Sequence, residues 1–359
     1  MPRNKKPRHV LVSRFSALGD VAMTLPSVYN ACYANPDVQF LFLTRHHPAR
    51  MFIHRPGNLT MVPVNFDNYK GIAGIFRLAR DLRKRYEVDL MVDLHDVLRT
   101  KLLRFLLRFH GVESHHIFKD RRAKKNLTRR NNKLLVQLTP TPQRYDNTFR
   151  RAGIPLANDF HSIYGSGKGP VEVFAAVSAP KKKGEFWLAV APFAKHKGKI
   201  YPMELMDKVI AHFNGMERTR IFVFGFGEEE DRQIEQLANR YSAVVNMAHA
   251  ALGLDAELAL LSHCDVMLSM DSANMHLASL VGLRTVSIWG ATHPYTGFLG
   301  WQQHTSDAVQ LDMTCRPCSV FGDKPCFRGD YHCLRGITPQ MVISRIIAPQ
   351  QQQTASDKP

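Results

Sequence analysis

From residue 9 onward, short apolar runs alternate with longer stretches in which apolar residues recur every three or four positions. The short runs predict buried strands, and the longer stretches predict helices packed by one face. HVLVSRF (9–15), VQFLFLT (38–44) and VDLMVDL (88–94) are strands on this reading. GIAGIFRLARDLRKRYE (71–87) sets Ile72, Ile75, Phe76, Ala79, Leu82 and Tyr86 at helical spacing, and LRTKLLRFLLRFHG (98–111) is a helix ended by Gly111. After a stretch rich in glycine, serine and lysine the pattern restarts. Strands are expected at 185–193, 219–226, 242–247, 265–270 and 284–290, with helices at 203–215, 228–242, 255–264 and 272–282 between them. Repeated strand–helix units imply a parallel sheet covered on both faces. The chain is therefore read as α/β with two domains, 1–165 and 185–349, joined by a linker at 166–184 and followed by a disordered tail, 350–359. A ligand is expected between the domains, at the carboxyl ends of the strands.

Charge narrows the choice of partner. Against 31 Asp and Glu stand 48 Lys and Arg, a formal net charge of +17, which favours an acidic partner: nucleic acid, an anionic membrane or phosphorylated small molecules. The basic residues gather at 119–133, 181–183 and 195–199, each of which reads equally as a solvated face. The segment 119–133 has no aromatic residue to stack on a base, which weighs against single-stranded nucleic acid. The arginines of 98–111 either face water or lie on anionic lipid. Arg14 and Asp20 interrupt the apolar start before a signal peptide is complete, and no run reaches the ~18 apolar residues of a spanning helix, so a cytoplasmic protein is expected.

Cys315, Cys318, Cys326 and Cys333 fall close together. In a reducing compartment two readings stand: a four-thiolate zinc knot, with a second pair spaced wider than usual, or free thiols in a small-residue loop. Cys32 and Cys264 read as core residues.

Three segments carry the candidate chemistry. MDSANMH (270–276) joins a strand to a helix, whose unpaired first-turn N–H groups and positive dipole end make residues 272–274 a cradle for phosphate. Asp271 is placed to cap that helix or receive a hydroxyl, Ser272 to donate to an anion, and His276 to add a hydrogen bond or a charge; an ordinary capped helix is the competing reading. FAKHKGKIYP (193–202) also runs from strand to helix and offers Lys199 as a point charge for phosphate. RFSALGDVAMTLPS (14–27) turns at Gly19 and places Asp20 where a helix begins, either as a cap or as a general base.

Together these segments resemble the heptosyltransferases that build the inner core of lipopolysaccharide: SRFSALGDVAMTLPS resembles the amino-terminal signature, KGKIYP the Lys-x-aromatic-Pro segment, and DSANMHLASLVG with WGATHPYTGFLG the Asp-Ser/Thr-Gly-x-x-His-Leu helix and its following loop. The resemblance implies a GT-B architecture, two facing Rossmann-like domains with a deep cleft, the first for the acceptor and the second for the nucleotide sugar. It also implies an inverting transfer of heptose from an ADP-sugar without a catalytic metal or other cofactor. Asp20 would deprotonate the acceptor and Arg14 lie near acceptor or departing phosphates. Lys199, Ser272, Ala273 and His276 would hold the diphosphate, Asp271 the nucleotide or sugar, Glu228 the ribose and Leu252 the adenine. The implied acceptor is a phosphorylated glycolipid on the anionic inner face of the inner membrane, where the protein would sit peripherally, with no nucleic acid involved. Two positions depart from the pattern: Ala273 stands for a glycine and is tolerable there only at negative φ, and His293 stands where an acid is usual. Rival readings are a nucleotide-sugar epimerase on the same fold and a basic nucleic-acid- or membrane-binding protein without catalysis.

Overall fold

The computed structural model describes residues 8–250 and 252–349, so the expected tail at 350–359 lies outside the described residues. The chain divides into two compact units. The first runs up to Lys124 and resumes at Gln137–Lys168; the second takes Lys125–Val136 and the chain from Gly169.

The first unit is built on a parallel sheet of five strands: β1 (His9–Ser13), β2 (Gln39–Thr44), β3 (Leu59–Pro63), β4 (Leu90–Asp93) and β5 (Glu113–His116), in the order β3-β2-β1-β4-β5. Central β1 is buried from Val10 to Ser13, as a strand covered on both faces must be. The pattern missed both edges. β5 is ESHH, without an apolar residue, and β3 carries its Pro63 where an edge strand needs no donor. The helices Gly71–Tyr86 and Leu98–Arg108 pack on one side of this sheet, burying Ile75, Leu78, Ala79 and Leu82 from one and Leu103, Leu106 and Leu107 from the other. Ile72 and Phe76, expected on the core face, are exposed instead.

The second unit carries a six-stranded parallel sheet: β6 (Phe186–Ala191), β7 (Thr219–Val223), β8 (Val244–Asn246), β9 (Val266–Met270), β10 (Thr285–Ile288) and β11 (Ala308–Val309), ordered β11-β10-β9-β6-β7-β8. From β6 outward this is the doubly wound order, with strand order reversing between β6 and β9; in the first unit it reverses between β1 and β4. The expected linker includes a 3₁₀ turn, Val171–Phe174, in the second unit, and Phe174 is fully buried edge-on against Trp187 and His263. Both units are thus α/β with parallel sheets, as expected.

Candidate functional site

Polar and charged residues gather at the switch point of each sheet. In the first unit β1 runs into Arg14 and then the short helix Leu18–Ala22, whose third residue is Asp20. The Asp20 carboxylate accepts the Ala17 N–H at 3.2 Å and pairs with the Arg14 guanidinium at 2.8 Å. Asp20 thus reaches back to satisfy the helix start, and it also keeps 30% of its side chain exposed. Arg14 is buried and donates to the Leu94 carbonyl at 2.8 Å. Burial works against its charge, but Tyr145, Asp20 and Asp93 outweigh burial and hold it protonated.

Next to β1, the end of β4 supplies residues that the motif reading passed over. Asp93 is fully buried and accepts from Ser13 Oγ and from the His95 and Asp96 N–H groups, with Arg104 at 3.3 Å. His95 Nδ1 accepts the Phe15 N–H at 3.3 Å. Burial, then Arg14 and Lys119, lower the His95 pKa to about 3, so its ring is neutral. Lys119 donates to the Asp96 carbonyl at 2.9 Å, and burial followed by Arg144 brings Lys124 down to about 8. At the start of the basic run, Lys124 thus belongs to the surroundings of Asp20, and Lys119 to those of Arg14 and Asp96. DLHD, polar at a strand's carboxyl end, was the available signal.

In the second unit three strand ends contribute. Lys199 ends the 3₁₀ turn Lys197–Lys199 after β6, and its Nζ meets the Asp271 carboxylate at 2.9 Å. Asp271 ends β9 and is buried. It does not cap the following helix, whose N-cap is Ser272, and its carboxylate pairs with Lys199. Ser272 is the N-cap residue of Ala273–Leu280, and that helix start has no side-chain cap, so the first-turn N–H groups keep their capacity for an anion. Ala273 is not among the residues with positive φ, which meets the condition set for replacing a glycine there. His276 is buried in the same first turns of the helix.

The support of Lys199 was not legible. Tyr201 is fully buried, its N–H contacting Met270 Sδ at 3.3 Å and its hydroxyl donating to the Ile337 carbonyl. The Gly198 carbonyl accepts the Ala291 N–H at 2.8 Å, and a Cβ at Gly198 would meet Ala291 at 2.9 Å. Gly322, at φ +75°, leaves room for the lysine stem: a Cβ would stand 2.6 Å from Lys199 Cγ. Buried Arg316 ties down the loop after β10 by donating to the carbonyls of Trp289, Gly290 and Thr292. In that loop His293 Nδ1 accepts the Tyr295 N–H, and burial, then Arg316, lowers its pKa to about 4. Glu228 is exposed at the start of Glu228–Arg240, where Glu230 takes the turn's hydrogen bond from the Phe226 N–H, and Leu252 is half-buried in a loop.

Comparison with known proteins gives the family. Residues 75–325 match glycosyltransferase family 9 (heptosyltransferase). The chain belongs to that family. It is a glycosyltransferase by membership, and it is similar to lipooligosaccharide heptosyltransferase 2 of Campylobacter jejuni, 22% identical over 91% of this chain and 94% of that one. Among solved structures, a family 9 glycosyltransferase from Veillonella parvula shares 16% identity over 94% of this chain and 96% of its own, with a TM-score of 0.70. The heptosyltransferase WaaC of Escherichia coli, solved with ADP, shares 17% over 87% and 96% of the two chains at a TM-score of 0.63.

In this family 9 glycosyltransferase the four clustered cysteines line one small pocket with Asp330 and His332. Burial raises the Cys318 thiol and takes Cys333 to about 11, so a bound metal would have to displace their protons. Lys133, Arg316 and Arg328 lie within electrostatic reach of these thiols. Among the described residues no group of three or more His, Cys, Asp or Glu is gathered as a metal site. No helix of the described residues is long and apolar enough to cross a membrane.

Proposed function

We propose that this glycosyltransferase moves a heptose from ADP-heptose to a phosphorylated lipopolysaccharide inner-core acceptor, with inversion and without a catalytic metal. The observation that carries the reading is the pairing of Lys199 with buried Asp271 beside an uncapped helix start, at the switch point of a doubly wound sheet. The ADP of the E. coli neighbour supports the choice of nucleotide.

In the proposed reaction the acceptor hydroxyl gives its proton to the Asp20 carboxylate while its oxygen bonds to the anomeric carbon. The bond from that carbon to the diphosphate breaks, and the departing charge falls on Lys199, Ser272 and the N–H groups of 272–274, with His276 and Ala273 shaping the same turn. Asp271 keeps the ammonium in place, so no reorganisation is needed as charge develops. Arg14, Lys119 and Lys124 favour an acceptor that carries phosphate. Glu228 and Leu252 are proposed for ribose and adenine from family resemblance. Contact with an anionic membrane follows from such an acceptor.

A structural zinc is proposed at Cys315, Cys318, Cys326 and Cys333. The four thiols line one pocket without being gathered as a metal site, so zinc would have to draw them together; they are the soft donors it takes, and the three cations nearby would offset a tetrathiolate's negative charge.

Thermal stabilisation by a nucleotide panel tests the transfer reading. ADP and ADP-heptose should raise the melting temperature equally with and without EDTA, and heptose release should require acceptor. A preference for UDP or GDP compounds overturns the donor, and sugar interconversion without acceptor favours epimerisation. Metal analysis of the purified protein showing no zinc overturns the thiolate site.

A further inference from the structure

The helix Leu98–Arg108 is apolar on two sides, and the sheet needs only one. Its inner stripe, Leu103, Leu106 and Leu107, is buried in the core of the first unit. Its outer stripe is not: Leu98 is 84% exposed, Phe105 57% and Phe109, at the C-cap, 70%. Spaced by seven and four residues, these three fall within about 60° of the helix circumference. Phe105 and Phe109 meet edge to face, centroids 4.7 Å apart, though both are exposed. Lys101 and Arg108 are exposed on the same helix, which has no acidic residue.

The neighbouring helix Gly71–Tyr86, packed on the same core, repeats the arrangement. It exposes Ile72 and Phe76 together with Arg77, Arg80, Arg83, Lys84 and Arg85. Its one acid, Asp81, is engaged by Tyr69 at 3.2 Å and Arg80 at 3.5 Å.

We infer that these two helices form the surface by which the protein docks on an anionic bilayer, Leu98, Phe105, Phe109, Ile72 and Phe76 entering the acyl boundary while the cations meet lipid phosphates. Charge decides the occupant. A second copy of the chain docking on this face would bring its own cations against these. A bilayer with anionic headgroups accommodates both, apolar tips below and cations at the phosphates. This deepens the proposed membrane contact and rests on it, but vesicle binding needs neither donor nor acceptor and so is tested apart from transfer.

The test is flotation of the full chain with vesicles of phosphatidylglycerol and phosphatidylcholine, or of phosphatidylcholine alone. Wild type should float with the anionic vesicles and not with the neutral ones. The Leu98→Ser/Phe105→Ser/Phe109→Ser variant should lose at least tenfold in binding, and Arg83→Glu/Arg108→Glu a similar factor at low salt. Both should keep the wild-type melting temperature and its shift with ADP. Failure of wild type to float, or flotation of the triple variant at wild-type level, overturns the inference. So does a concentration-dependent dimer that the triple variant abolishes, which would make a second copy the occupant. A protein that floats yet is stabilised by no nucleotide would overturn the transfer reading and leave the docking surface standing.

Discussion

Each unit places an acid and a base together at its switch point, at nearly the same distance: Asp20 to Arg14 at 2.8 Å, Asp271 to Lys199 at 2.9 Å. What differs is which partner is buried. At β1 the acid is 30% exposed and the arginine nearly enclosed; at β9 the acid keeps only 3% and the lysine is the more exposed partner. An exposed carboxylate anchored by a buried guanidinium is open to solvent and held in one orientation, as the proposed base requires. A buried carboxylate under an ammonium is an anchor for the positive charge. On the proposed mechanism one ion pair, inverted, serves as the base in one unit and the anion holder in the other.

The comparison breaks most readily at Asp20. Asp20→Asn should lower turnover by ~10²–10⁴-fold and leave the ADP-induced thermal shift unchanged, as steady-state rates and melting curves will report. Normal turnover would remove Asp20 from the proposed chemistry. Lys199→Ala should lower turnover by about 10²-fold and also weaken ADP binding, read by calorimetry; an effect on neither would leave the helix start to act alone. Asp271→Ala strands Lys199 without its countercharge and should cost about 3 kcal/mol in urea unfolding, more than Asp20→Asn costs. Equal costs at the two acids would dissolve the distinction drawn from burial.

Two smaller effects sharpen it. Gly322→Ala puts a methyl against the Lys199 stem on a backbone that favours glycine, and should lower kcat/KM by about tenfold, mainly through ADP-sugar binding. The pH dependence of stability probes the other unit. His95 has a folded pKa of about 3 against 6.5 for the ordinary ring. As pH falls below 6.5 the unfolded chain takes up a proton that the folded chain refuses, so stability present above 6.5 erodes progressively toward pH 3. His95→Gln should flatten that part of the profile.

The strand–turn–helix junctions were legible because each compresses its chemistry into a few residues: Asp20, Lys199 and Asp271 stand where an apolar run gives way to polar residues. Partners brought in from elsewhere in the chain were not. Asp93 and His95 acquire meaning only once β4 lies beside β1, and Gly322 only once its loop covers Lys199. Periodicity also cannot separate an apolar residue that faces a sheet from one on the outer side of the same helix, as Ile72 and Phe76 show. The strand ESHH has no apolar signal to read, because an edge strand can pair its backbone without burying side chains.

The basic run 119–133 is shared between the units, the chain leaving the first after Lys124 and returning to it at Gln137. Lys133, carried on that excursion, donates to the carbonyls of Cys315 at 2.7 Å and Pro317 at 2.9 Å. Neither half of the enzyme is therefore a contiguous stretch of gene. A fusion that exchanged everything up to Lys168 for the corresponding part of a relative would also exchange the segment Lys125–Val136 of the other half, and the graft would inherit a foreign lysine over its own cysteine loop. Hybrids meant to exchange one unit for a relative's should be spliced at three places, after 124, after 136 and after 168, so that each unit keeps its own sequence.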